Sequence, residues 1–124
     1  ISLSMKPYQD ARVEGEKLAK QYAELEKADQ VDFYNGLEGY YSVLGHNKKQ
    51  EAIAVLIEKN DHKIYVYQLD KGISQDKAAT ISREKGASDI DKIPFGRYQD
   101  KPIWEVKSGN QYYLVDFETG AVIQ

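Results

Sequence analysis

Residues 72–86 read GISQDKAATISREKG, and this stretch decides how the chain is organised. Ser74 is a natural N-cap, because its hydroxyl can accept a first-turn amide hydrogen, and Asp76 falls where the helix dipole favours negative charge. Ala78, Ile81 and the stem of Lys85 form an apolar side, and Gly86 suits the left-handed position that ends a helix. The stretch therefore predicts a helix over 75–85. The period then changes to two. IDKIPFGRYQ (90–99), PIWEVKS (102–108), YYLVDFE (112–118) and AVIQ (121–124) read as short strands separated by turn formers.

The same order of elements precedes it. Tyr8, Ala11, Gly15, Leu18, Tyr22 and Leu25 recur at helical spacing and place one apolar stripe along a helix over about 7–27, with Pro7 in its first turn. Gly15 within the stripe points to close approach across a sheet. QVDFYN (30–35), GYYSVLG (39–45), EAIAVLIE (51–58) and KIYVYQL (63–69) follow as strands. Asn35-Gly36, Gly45-His46-Asn47 and Asn60-Asp61 supply hairpin links. Tyr41-Ser42-Val43 aligns with Trp104-Glu105-Val106, and Val55–Glu58 aligns with Val115–Glu118. The expected fold is α+β, with two units over 1–70 and 71–124. Each is a helix lying across a three- or four-stranded antiparallel sheet.

Composition narrows function. The 124 residues carry a net charge of −3, which leaves no electrostatic footprint for nucleic acid. There is no cysteine, so disulfides, thiolate metal sites and a cysteine nucleophile are excluded. No apolar run reaches the roughly 20 residues of a membrane helix. The chain begins ISLSMKPYQD without an initiator methionine, so an apolar anchor of about 20 residues is expected upstream, with Lys or Arg on its cytoplasmic side.

Candidate chemistry is thin. Asp116 ends a strand three residues before Thr119 and four before Gly120; its carboxylate reads as a turn lock that accepts turn amides or the Thr119 hydroxyl, with Gly120 supplying an unusual φ. Ser74 and Lys77 form an S-x-x-K, and Lys107-Ser108-Gly109 and Ser108-Gly109-Asn110 follow. Together these resemble the three motifs of serine penicillin-binding enzymes. The last two overlap in one hairpin, and the chain is too short for that fold. His46 and His62 stand alone in predicted turns without metal-ligand spacing. No catalytic residue, metal or cofactor is assigned. The compositional excess is ten tyrosines, several as strand doublets whose members face opposite ways. The face away from the helix must be solvated, covered by the other unit, or used for binding. Tyr40 and Tyr112 are the candidates for partner contact.

The helix start of GISQDKAATISREKG, followed by W-x-V, a glycine turn and V-D-x-x-T-G-x-V within WEVKSGNQYYLVDFETGAVIQ (104–124), resembles a PepSY domain. The two-unit whole resembles the TseB (YpmB-like) family of Gram-positive cell-wall elongation regulators. The motifs cover residues 72–124, whereas the first half matches by element order and its long leading helix. The resemblance implies tandem cystatin-like units, an N-terminal membrane anchor and an extracytoplasmic location. It also implies a non-enzymatic role exerted through contact with a class B penicillin-binding protein. PepSY-like and cystatin-like units also act as inhibitors or chaperone-like regulators of peptidases, which is the alternative function.

Overall fold

The computed structural model describes residues 6–35, 39–61 and 63–123, an α+β chain of two compact units, Ile1–Gln68 and Leu69–Gln124. Helix α1 (Lys6–Tyr22) opens the first unit. Strands β1 (Leu25–Asn35), β2 (Gly39–Asn47), β3 (Ala52–Glu58) and β4 (Ile64–Gln68) follow as an antiparallel meander, in spatial order β1-β2-β3-β4. A 3-10 turn, Leu69–Lys71, opens the second unit. Helix α2 (Gln75–Glu84) and strands β5 (Phe95–Tyr98), β6 (Lys101–Ser108) and β7 (Gln111–Asp116) complete it, in order β5-β6-β7.

Helix α1 lies on β1, β2 and β3. Its packed face is Gly15, Leu18 and Ala19, continued by Ala23 just past its end, set against Leu25, Val31, Val43, Ile53, Val55 and Ile57. A Cβ on Gly15 would sit 3.2 Å from Tyr41 Cβ, so the missing side chain lets helix and sheet approach. The helix is shorter than the apolar spacing predicts. It stops at Tyr22, whose ring is 61% exposed, and Glu24 takes a left-handed turn at φ 56°. Leu25 is therefore the first residue of β1, and its burial belongs to the strand. The side chains of Tyr8 and Ala11 lie outside the described ones.

The β2–β3 connection also falls later than expected. Gly45 and His46 sit within β2, where a Cβ on Gly45 would meet the Lys27 carbonyl oxygen at 2.0 Å. The turn forms beyond Asn47, whose Oδ1 accepts the Lys49 and Glu51 amides at 2.9 Å each. The expected Asn35-Gly36 link includes Gly36, which lies outside the described residues.

The face of the first sheet that points away from α1 carries Tyr34, Tyr40, Ser42, Leu44, Ala54, Leu56 and Glu58, all buried in this chain. The sheet thus buries side chains on both faces.

In the second unit α2 packs on β6 and β7. Ala78, Ala79 and Ser82 are its buried residues; Ile81 is half-buried and Lys85 is exposed, so the lysine stem is not part of the packed side. Phe95, Trp104 and Phe117 meet edge to face, with centroids 4.9 Å apart for Phe95–Trp104 and 5.1 Å for Phe95–Phe117. The stretch read as one strand over 90–99 yields only β5, with an isolated bridge from Ile90 to Ser108. Gln99 and Asp100, both at positive φ, make the two-residue turn into β6. The last expected strand is a single bridge, Val122 to Val115, and not a ladder.

Candidate interaction surface

The Asp116 turn is a closed set of hydrogen bonds. Asp116 Oδ1 accepts the amides of Glu118 at 2.7 Å and Thr119 at 3.0 Å. Thr119 Oγ1 accepts the Ala121 amide at 3.1 Å, and the Gly120 amide donates to the Asp116 carbonyl at 2.8 Å. Gly120 sits at φ +81°, a conformation a Cβ would strain. The turn brings the chain back along β7: the Asp116 amide donates to the Ala121 carbonyl, and the Ile123 amide to the Leu114 carbonyl.

The approach to α2 is fastened to the same end of the sheet. The Ile73 amide donates to the Phe117 carbonyl at 2.8 Å, and Trp104 Nε1–H donates to the Ile73 carbonyl at 3.0 Å. A Cβ on Gly72 would fall 2.3 Å from the Phe117 carbonyl oxygen. These residues therefore hold a helix start, a strand end and a turn together.

The serine-enzyme resemblance dissolves into structural roles. Ser74 Oγ accepts the Lys77 amide at 3.0 Å, as an N-cap does. Ser108 Oγ accepts the Ser88 amide at 2.9 Å, and Gly109 at φ +61° turns the chain from β6 into β7. His46 Nδ1 lies 3.0 Å from Asp29 Oδ2, both side chains exposed. His62 lies outside the described residues. Among the described residues no three His, Cys, Asp or Glu side chains converge on a metal position, and no helix is long and apolar enough to cross a membrane.

The two tyrosine candidates part company. Tyr40 is 4% exposed and does not face solvent: its ring lies 6.4 Å from those of Tyr34 and Tyr65, on the buried face away from α1. The signal that could have found this is the unbroken apolar run Ala52–Ile57 in β3. Such a run marks a strand buried on both faces.

Tyr112 is 52% exposed, on the face of its sheet away from α2, with Lys107 Nζ 5.8 Å from the ring centroid. Across the ladder Tyr112 pairs with Lys107, and Glu105 pairs with Leu114 on the same face. Burial pushes the Glu105 carboxyl up, and Lys107 opposes the shift. Two exposed apolar side chains lie outside the tyrosine doublets: Phe33, 42% exposed with Lys59 Nζ 5.4 Å from its ring centroid, and Val66 on β4.

The comparisons place the chain. A family model described as "Cell wall elongation regulator TseB-like domain" matches residues 14–58, from within α1 to the end of β3. The Bacillus subtilis (strain 168) protein named "Probable cell wall elongation regulator TseB" is 37% identical over 114 residues, covering 86% of this chain and 70% of that protein. The chain belongs to the TseB-like family. A solved structure of the YpmB protein from Bacillus subtilis superposes with a TM-score of 0.76 at 33% identity, covering 90% of this chain and 93% of that one. The TseB-like model match ends at Glu58, so β4 and the second unit, with its Asp116 turn, fall beyond the matched residues.

Proposed function

We propose that this TseB-like chain is a non-enzymatic, extracytoplasmic regulator of cell-wall elongation, membrane-anchored upstream of Ile1, that acts by binding a class B penicillin-binding protein. The observation that carries the reading is the relationship to a protein named as a regulator of that process. The site geometry supports it. Ser74 and Ser108, the hydroxyls a serine enzyme would need, both accept backbone amides in structural positions, and Asp116 is occupied by its turn.

The two units also support the reading as tandem cystatin-like modules, an N-terminal one over 1–70 and a PepSY-like one over 71–124. Each has one helix packed on an antiparallel sheet, and Tyr41 and Val43 stand toward α1 as Trp104 and Val106 stand toward α2. The test is affinity capture from membrane extract with the anchored full-length protein. Enrichment of a transpeptidase supports the proposal, and enrichment of a peptidase instead supports the inhibitor or chaperone-like alternative. Hydrolysis of a peptide or β-lactam by the purified chain would end the non-enzymatic reading. Tyr112 is the proposed contact tyrosine: Tyr112→Ala should weaken capture while leaving Tm within about 1–2 °C, as for surface substitutions.

A further inference from the structure

Edge strands carry backbone donors and acceptors that invite pairing, and proteins usually blunt them with charge, proline, bulges or a covering segment. Three of the four sheet edges here are blunted in one of these ways. Strand β1 has two register shifts and carries Glu26, Lys27, Asp29 and Asp32. Strand β5 is four residues long, follows Pro94 and contains Arg97. Strand β7 is covered by Ala121 and Ile123, which take the Asp116 amide and the Leu114 carbonyl.

Among the described residues strand β4 has none of these devices. Its sequence Ile64-Tyr65-Val66-Tyr67-Gln68 holds no charge and no proline, and its pairing with β3 runs without a shift. The ladder fixes which groups look outward. The Glu58 amide donates to the Lys63 carbonyl, and the Lys59 amide to the Gly39 carbonyl. Alternation along an antiparallel pair then directs the backbone of Tyr65 and Tyr67 at β3. The amides and carbonyls of Ile64 and Val66, and the amide of Gln68, point away from it. Among the described residues these outward groups meet no backbone partner. Val66, on the α1 side of the sheet, is 49% exposed.

We propose that β4 is a docking edge for an extended segment of a protein partner, which adds to the sheet as a fifth strand beside Ile64–Gln68. The inference rests on the contact function above and gives that contact a location and a chemistry. Main-chain hydrogen bonds to Ile64, Val66 and Gln68 supply the recognition, and an apolar residue packs opposite Val66. A second copy of this chain is the poorer occupant. Five residues span about 17 Å, and a strip that short falls well below the roughly 1,000 Å² a stable dimer requires. A flexible segment of a larger partner held at other points faces no such threshold.

The test uses the purified extracytoplasmic domain of a class B penicillin-binding protein and hydrogen exchange on this chain. Binding should slow exchange at the Ile64, Val66 and Gln68 amides by about tenfold or more, with Tyr65 and Tyr67 little changed. Val66→Pro removes an outward donor while sparing the β3 ladder, and Val66→Lys places a charge at the edge. Both should weaken binding by about tenfold or more, and the lysine variant serves if the proline variant fails to fold. Wild-type binding with unchanged exchange at these amides, and full binding by Val66→Lys, would overturn the β4 proposal and leave the contact function standing. If the domain does not bind at all, the contact function as stated fails. An alternating Val-Thr heptapeptide and its alternately N-methylated form then decide the edge. Protection by the unmethylated peptide alone supports the docking edge, and protection by neither overturns it. Protection that grows with concentration of this chain alone would assign the edge to a second copy and also overturn the proposal.

Discussion

The two helices are secured in opposite ways. Helix α2, ten residues long, is fixed at its ends. Ser74 caps the first turn, and at the other end the Gly86 amide donates to the Arg83 carbonyl and the Ala87 amide to the Ser82 carbonyl, with Gly86 at φ +115°. Helix α1, seventeen residues long, has no acidic residue in its first turn and leaves through a strained Glu24. Its security lies along its length, where Gly15, Leu18 and Ala19 press on the sheet. A helix shorter than about 12–15 residues is marginal by itself, so the short one needs termini that specify it. A long helix can rely on one face.

That contrast can be attacked from its strongest point downward. Trp104 joins the aromatic core of the second unit to the backbone just before α2. Trp104→Ala should cost about 3–5 kcal/mol in chemical denaturation, the range for deleting a large buried aromatic. A loss under about 1 kcal/mol, typical of surface changes, would mean that the α2 end is not held by the core. Next comes the turn. Asp116→Ala should cost about 1–2 kcal/mol, whereas Asp116→Asn, which keeps an acceptor for the Glu118 and Thr119 amides, should recover most of that. Equal losses from both variants would show that charge, and not the hydrogen-bonded turn, matters.

Ser74→Ala should cost about 1 kcal/mol. Circular dichroism of this variant should show loss confined to about one helical turn; no change would weaken the view that α2 depends on its ends.

The smallest effect concerns Glu105. Its carboxyl lies above the ordinary value because burial disfavours the charge, with Lys107 partly offsetting this. Raised in the folded chain, it contributes stability that is fully present below its unfolded value and is lost as pH rises through the folded one. Glu105→Gln should therefore raise Tm slightly near about pH 7 and leave it nearly unchanged near about pH 4. The same rise at both values would point to packing instead.

The sequence made α2 readable because everything that defines it is local: a serine, an acid and a glycine at fixed offsets. The Asp116 turn was equally accessible, since Asp, Thr and Gly each act within four residues of one another. The end of α1 was hidden because Tyr22 and Leu25 continue the helical spacing by coincidence. One points to solvent and the other begins a strand. Tyr40 was misplaced for a non-local reason. Alternation tells which residues share a face but not whether that face is covered, and here the continuous apolar run of β3 held the missing information. The Gln99-Asp100 turn escaped notice because neither residue is the glycine or asparagine that usually announces a two-residue hairpin loop.

The return of Ala121–Ile123 along β7 has a consequence for valence. With that segment in place, β4 is the one unblunted edge among the described strands, so the proposed strand addition would have a single point of entry. If the Thr119–Gly120 bend opened, the outer groups of Leu114 and Asp116 would be bare, and each molecule would offer two edges. A few hydrogen bonds at one turn thus hold the number of edges open to a partner segment at one.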